Sequence, residues 1–315
     1  MRALITGITG FAGSHLAENL LKHNIEVFGT TQRGETQVNV ADFKRQITLI
    51  RASLDDTRTL RTAINRIKPQ WVFHLAALAS VGRSFSAPVE TMKVNLFGTL
   101  ELYEILRNSK SLEKVIFVSS ADVFGPLPPS KMPIKPDYPL NPVSPYGASK
   151  AAADILSYQY FRAYGLPIVR VRAFNHTGPR QSTGYVVPDL CSQIAKIERS
   201  KKPGMIKVGN VTAKRDIADV RDIVNGYRLA AKNGRPGEPY ILASGKAHSI
   251  RRYLKLLTNM STAEIDIKVA KELLRPVEVP LLVGSISKSK KELDYNPKYR
   301  IEQTLLDTLD FWRMN

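Results

Sequence analysis

Hydrophobic and polar positions alternate between two periods through the first 174 residues. Short apolar or β-branched runs read as strands: Arg2 to Thr6, Glu26 to Thr30, Ile47 to Arg51, Trp71 to Leu75, Lys114 to Ser119 and Pro167 to Ala173. Longer amphipathic stretches between them read as helices: Gly13 to Lys22, Asp56 to Ile67, Pro88 to Asn108 and Pro145 to Tyr164. This rhythm predicts an α/β fold, a doubly wound parallel sheet with helices on both faces. After Phe174 the rhythm breaks. A loop rich in Gly, Pro and Ser runs from Asn175 to Pro188, followed by helices at Asp189 to Glu198 and Asp219 to Asn233. A strand returns at Pro239 to Ala243, and Ser249 to Met260 and Ile301 to Arg313 read as amphipathic helices. The expected organisation is a Rossmann domain, 1–174, that recaptures roughly 211–245, with a smaller C-terminal lobe built from 175–210 and 246–315. No internal repeat or low-complexity segment interrupts it.

Composition narrows the class. A chain of 315 residues that is 43% hydrophobic can bury one large core or a core plus a lobe. The single cysteine, Cys191, excludes an internal disulfide and points to a reducing compartment. Met1 and Arg2 lead straight into an apolar strand, so no secretory leader is expected. No apolar run approaches the ~20 residues that span a bilayer, and a cytoplasmic protein is expected. A net charge of +18 admits a nucleic-acid binder. The densest basic runs, Arg199 to Lys202 and Lys288 to Lys291, are short and lack interleaved aromatics. The charge therefore reads as a solvated surface plus a site for an anionic ligand, with neither nucleic acid nor membrane as partner.

G-I-T-G-F-A-G places Gly7, Gly10 and Gly13 directly after the first strand and at the opening of the first helix. Glycine allows the tight turn and close approach of backbone to a diphosphate. Amides at Phe11 and Ala12, with the helix dipole, favour the anion. This context predicts a nicotinamide dinucleotide site. The second strand ends in Thr30-Thr31-Gln32-Arg33 with no acidic residue for the ribose 2′-hydroxyl. Arg33, with the hydroxyls of Thr30 and Thr31, suits a 2′-phosphate, so NADP(H) is expected over NAD(H).

P-Y-G-A-S-K puts Tyr146 and Lys150 four apart on one helix face. An ammonium beside a phenol favours the phenolate, so Tyr146 is expected to exchange a proton near neutral pH. Such a pair alone is commonly structural. Here the fifth strand also ends in Ser119-Ser120, at the carboxyl edge where doubly wound sheets bind ligands.

With these residues in this order, the chain resembles the extended short-chain dehydrogenase/reductase family over nearly its whole length. The resemblance includes H-L-A-A (His74 to Ala77), V-N-L-F-G-T (Val94 to Thr99), S-S-A-D-V-F-G (Ser119 to Gly125) and Y-G-A-S-K (Tyr146 to Lys150). It implies a catalytic triad of Ser120, Tyr146 and Lys150, with Leu75, Ala76 and Ala77 lining the cofactor. It also implies a small lobe for a nucleotide sugar. An acidic-apolar pair often seen after the third strand reads Ser53-Leu54 here, and Phe124 stands where many members carry tyrosine. Gln32, Ser53 and Leu54 remain candidate cofactor contacts.

Further segments are similar to the GDP-4-keto-6-deoxy-D-mannose reductases: Phe174 to Ser182, Val186 to Asp189, Ile206 to Asn210, Lys214 to Asp222 and Arg275 to Pro280. This similarity implies Asn175 near sugar and diphosphate, and Arg215, Arg275 and Glu278 at the diphosphate and ribose. Val187 and Lys207 join the candidate substrate contacts. Forked cations suit a diphosphate and a carboxylate suits a ribose diol. A surface ion pair is the plainer role for each arginine; His176 reads as a satisfied loop histidine, with a sugar contact as the alternative, and the role of Lys207 is open. The implied reaction is reduction of GDP-4-keto-6-deoxy-D-mannose to GDP-D-rhamnose with NADPH. The alternative is a 4,6-dehydratase or 4-epimerase. Dehydratases of this family carry glutamate two residues after the catalytic hydroxyl, whereas Asp122 stands here, one methylene shorter. A catalytically silent NADP- or RNA-binding protein is the distant alternative. The helices Pro88 to Asn108 and Pro145 to Tyr164, with Ala151 to Ala153 and Leu156, are candidates for a helix-bundle homodimer.

Overall fold

The computed structural model describes residues 1–270, 273 and 279–315. Seven parallel strands form the central sheet: β1 (Arg2–Thr6), β2 (Glu26–Thr31), β3 (Ile47–Arg51), β4 (Trp71–His74), β5 (Lys114–Ser120), β6 (Ile168–Ala173) and β10 (Pro239–Leu242). Their order is β10-β6-β5-β4-β1-β2-β3. The chain leaves β1 in one direction for β2 and β3, and in the other for β4 to β6. The crevice at that reversal lies above the carboxyl ends of β1 and β4, where such sheets bind dinucleotides. Ala3, Leu4 and Ile5 have no exposed surface, as expected for a strand covered on both faces.

Helix α1 (Phe11–Leu21) packs with α8 (Val220–Asn233) on one face, in a core that includes Ile5, Leu16, Val171 and Tyr227. The other face carries α2 (Thr57–Ile67), α3 (Val81–Ser86), α4 (Pro88–Met92), α5 (Gly98–Leu106) and α6 (Pro145–Tyr164). Its core includes Leu4, Val72, Leu102 and Phe117. The expected single helix from Pro88 to Asn108 is broken by a π-helical turn, Lys93–Phe97. There the Asn95 side chain bonds the Leu78 backbone, and Thr99 Oγ1 donates to the Asn95 carbonyl at 2.6 Å. Both bonds draw Asn95 out of ordinary helical register.

The second lobe has its own core from α7 (Val186–Ser200), α9 (Ile250–Asn259) and α11 (Ile301–Met314), including Leu190, Ile194, Leu254 and Leu305. Two small sheets serve it. In one, β9 (Lys214–Asp219) pairs with β7 (Asn175–Thr177), β11 (Ala247–Ser249) and β13 (Leu281–Leu282). In the other, β8 (Gly204–Val208) pairs with β12 (Ile265–Val269). The segment expected to return to the large domain does so only from α8 onward, because β9 belongs to the small lobe. Conversely α10 (Ser287–Leu293) returns to the large domain, and Leu293 and Tyr295 join its core. No helix among the described residues is long and apolar enough to cross a membrane.

Helix α6 carries Tyr146 and Lys150, and a buried ion cluster ties it to β6. Asp154 accepts from Arg170 at 2.8 Å and from Arg172 at 2.9 and 3.0 Å. Burial pushes the Asp154 carboxyl up, but hydrogen bonds and charge from Arg172 and Arg170 hold it below the usual carboxylate range. Removing the charge strands two half-paired guanidinium groups in the interior. Asp154→Asn is expected to destabilise the fold by roughly 3–5 kcal/mol in urea unfolding. A loss below ~1 kcal/mol, the range of a surface pair, would mean the cluster does not hold α6.

Candidate active site

A cleft of about 1210 Å³ runs from the glycine turn across the carboxyl edge of the sheet into the second lobe. The turn is shaped for a close-approaching ligand. Gly7 has φ +75°, and a Cβ on Gly13 would lie 2.2 Å from the Gly7 carbonyl oxygen. No side chain fits there, so backbone amides face the cleft at the start of α1, as a diphosphate requires. Gly7, Gly10, Phe11, Ala12 and Gly13 all line it.

The floor is set by a chain of buried hydrogen bonds. Thr6 Oγ1 accepts from the amides of Leu75 and Ala76 at 3.2 and 3.1 Å. With both lone pairs engaged, its own proton goes to His74 Nδ1, 2.9 Å away. His74 Nε2 must then carry the ring proton and donate to Thr99 Oγ1 at 2.9 Å. Thr99 in turn donates to the Asn95 carbonyl. Burial, then the Lys150 charge, depress the His74 pKa to about 3, which keeps the ring neutral as this pattern demands. Asn95 carries the chain on: its amide donates to Ser149 Oγ at 2.9 Å, and Ser149 donates to the Tyr146 carbonyl at 2.7 Å. Leu75, Ala76 and Ala77 line the cleft as expected.

Ser120, Tyr146 and Lys150 converge on the cleft. Helix α6 starts where Ser144 caps it by accepting from Gly147 N at 3.0 Å, with Pro145 in the first turn. One turn on, Tyr146 and Lys150 share its inner face. The electrostatics differ from expectation. Burial pushes the Tyr146 phenol up, the Asp122 carboxylate pushes it further, and the Ser120 hydroxyl only partly offsets them. The Lys150 Nζ lies 4.6 Å from the Phe117 ring centroid. The phenol is therefore held protonated, the state of a proton donor. Burial lowers Lys150 to about 8, with Asp154 acting to raise it.

Asp122 folds back on the strand-end serine. Ser120 Oγ donates to Asp122 Oδ2 at 3.0 Å and accepts from Asp122 N at 3.1 Å. Tyr185, just before α7, was not foreseen. It lines the cleft, and burial together with the Asp122 charge raises its phenol.

On the substrate side Asn175, Val187, Lys207 and Arg215 all line the cleft. Arg275 and Glu278 lie outside the described residues. His176 is satisfied by the Phe174 carbonyl at 2.9 Å and stacks on Phe11 at 5.8 Å, which matches its reading as a satisfied loop histidine. Arg180 clamps its loop onto α1, donating to His15 Nδ1 at 2.8 Å, Glu18 at 2.6 Å and the Asn39 carbonyl at 2.9 Å. Of the cofactor candidates, Thr30, Gln32, Ser53 and Leu54 line the cleft, but Arg33 does not. Thr30 Oγ1 accepts from Gly7 N at 3.2 Å, and Thr31 Oγ1 donates to Glu35 at 3.1 Å. The Thr31 hydroxyl thus gives its proton to Glu35, whereas Thr30 accepts from the glycine turn and keeps its own proton to donate.

A Rossmann sheet, a glycine turn and a Ser-Tyr-Lys set on one cleft define a protein of the short-chain dehydrogenase/reductase type. Comparison with known proteins narrows the class. The GDP-mannose 4,6 dehydratase family model matches residues 4–308, and the chain belongs to that family of nucleotide-sugar dehydratases and reductases. A GDP-mannose 4,6-dehydratase of Sordaria araneosa is 31% identical across 95% of this chain, which spans 59% of that protein's length. A GDP-6-deoxy-D-mannose reductase of Pseudomonas aeruginosa is 30% identical across 78% of this chain and 80% of its own. The structure of RMD from Pseudomonas aeruginosa with NADPH superposes with a TM-score of 0.85, at 27% identity and 99% coverage of both chains.

Lys150 is a buried charge whose pKa the fold lowers. A folded pKa near 8 against an ordinary 10.5 means its charge destabilises the fold fully below pH 8. That penalty fades between pH 8 and 10.5, as the folded form sheds the proton while the unfolded form keeps it. Lys150→Met is expected to gain on the order of 2 kcal/mol at pH 7 and to lose turnover. Thermal melts across pH check this, with the gain shrinking above pH 8. A melting temperature that falls instead would give Lys150 a structural role.

Proposed function

We propose that this enzyme reduces the 4-keto group of GDP-4-keto-6-deoxy-D-mannose to give GDP-D-rhamnose. The observation that favours reduction over dehydration is the disposition of Asp122. A 4,6-dehydratase needs a carboxylate that reaches the sugar to move protons during loss of water. Asp122 has the shorter arm, and its oxygen is turned back onto Ser120 Oγ at 3.0 Å. The protonated Tyr146 phenol agrees, because a ketone reductase must deliver a proton to the developing alkoxide.

When bound, the reduced nicotinamide supplies the hydride. Tyr146 Oη donates its proton to the carbonyl oxygen as negative charge develops there. Ser120 Oγ, with its backbone held at the end of β5, turns toward that oxygen the proton it gives Asp122 in the free site, and so fixes the oxygen in place. Lys150 contributes the buried positive charge that helps return a proton to Tyr146, and its ammonium would hold the ribose of a bound dinucleotide. Arg215 and Lys207 supply positive charge where a sugar-linked diphosphate would cross to the second lobe. NADPH, expected from Arg33, draws support from the NADPH-bound RMD but not from the tip of β2, where Arg33 stands off the cleft. A cytoplasmic setting, expected from the single cysteine, belongs to this reading.

The reading also carries a homodimer. Ala151 and Ala153 do not serve it, because both are buried in the chain's own fold, and Leu156 packs on the core beneath α6. The neighbouring helices instead expose Val89, Phe97, Ile155 and Tyr158, which are between 42% and 66% accessible. An apolar surface of this kind, spread over two packed helices, suits a second copy.

Two measurements test these statements. With the 4-keto-6-deoxy sugar, the purified protein is expected to consume reduced nicotinamide stoichiometrically, and with GDP-mannose to consume none. Conversion of GDP-mannose without net loss of reduced cofactor would make it a dehydratase. Light scattering is expected to give a dimer, and Phe97→Glu with Ile155→Glu a folded monomer; a wild-type monomer would remove the dimer from the reading.

A further inference from the structure

The end of β2 holds a carboxylate that the linear order of residues conceals. The chain turns at Gln32-Arg33-Gly34-Glu35, where Glu35 N donates to the Gln32 carbonyl at 3.3 Å. Gly34 has φ +79° and Arg33 does not have positive φ, which makes this a type II turn. In such a turn the second residue points away from the strand and the fourth comes back beside the first. Arg33 is accordingly exposed and off the cleft, while Glu35 lines it beside Thr30, Thr31, Gln32 and Ser53.

The returning carboxylate is held in place. Glu35 Oε2 accepts from Gln32 N at 2.9 Å and from Thr31 Oγ1 at 3.1 Å. Among the described residues none donates to its Oε1. A fixed anion with one oxygen open, at the carboxyl end of the second strand, suits the hydroxyls of a ribose. It opposes a 2′-phosphate, which would bring a like charge against it.

We propose that Glu35 reads the 2′ position of the adenosine ribose and makes this enzyme prefer NAD(H) over NADP(H). The proposal rests on the reading of the cleft as a nicotinamide dinucleotide site, but not on which sugar is reduced. Its test uses binding alone: titration of the full-length protein with NADH and with NADPH, followed by nicotinamide fluorescence, with no sugar present. NADH is expected to bind about tenfold tighter or more, a difference of ~1.4 kcal/mol. Glu35→Gln is expected to shrink that ratio severalfold, chiefly by tightening NADPH. Arg33→Ala is expected to leave both affinities in place. Tighter NADPH binding by the unaltered protein, an unchanged ratio in E35Q, or a selective loss of NADPH in R33A would each overturn the proposal. If neither dinucleotide binds, the cofactor reading fails, and the role of Glu35 falls with it.

Discussion

The hydrogen-bonded chain from Thr6 through His74, Thr99 and Asn95 to Ser149 is the constraint on which the site depends. It begins at the end of β1, crosses to β4 and passes through the π-helical turn to the first turn of α6. One end holds the Leu75 and Ala76 amides that floor the dinucleotide cleft; the other holds the backbone of Tyr146. Each buried bond contributes only ~1 kcal/mol, but an orphaned partner costs ~1–3 kcal/mol. The whole chain therefore forms as a unit, with the cleft floor and Tyr146 in fixed relation. A neutral His74 is essential to it, since a charged ring would have two donors facing a hydroxyl proton.

Around that unit burial acts on three ionisable groups. Lys150 is buried beside an aromatic ring with its pKa drawn down to about 8. Tyr146 is kept protonated by burial and by Asp122. Opposite, Asp154 is bound by two arginines that fasten α6 to the sheet. Burial of the same kind thus acts on three neighbouring groups with three outcomes. The acid stays charged because it is fully paired, the phenol stays neutral, and the amine is left near its titration point. A neutral phenol beside an amine near its titration point is a pair suited to moving a proton.

The second lobe completes the cleft through contacts remote in sequence. Arg180, from the loop after β7, reaches back to α1 and fastens the Asn175–His176 segment against the glycine turn. Substrate-side and cofactor-side residues consequently share one rigid seam, with Phe11 stacked on His176 across it.

Much of this was legible in the residues alone. The alternation of strands and helices, the glycine turn, and the order of Ser120, Tyr146 and Lys150 depend on local periodicity and local turn chemistry, which the chain carries at any position. The small-lobe strands β7, β8, β9 and β12 were not legible, because each exists only through pairing with a segment distant in the chain. Nor was the break at Asn95, which arises from its side-chain bonds to Leu78 and the Thr99 bond to its carbonyl. The protonation of Tyr146 was misjudged for the same reason: spacing on a helix places Lys150 nearby, but burial and Asp122 set the balance. Glu35 lay in between. Its Q-R-G-E turn was written in the sequence, yet only the folded chain shows which side of the turn meets the cleft, because side-chain direction depends on the strand that the turn closes upon.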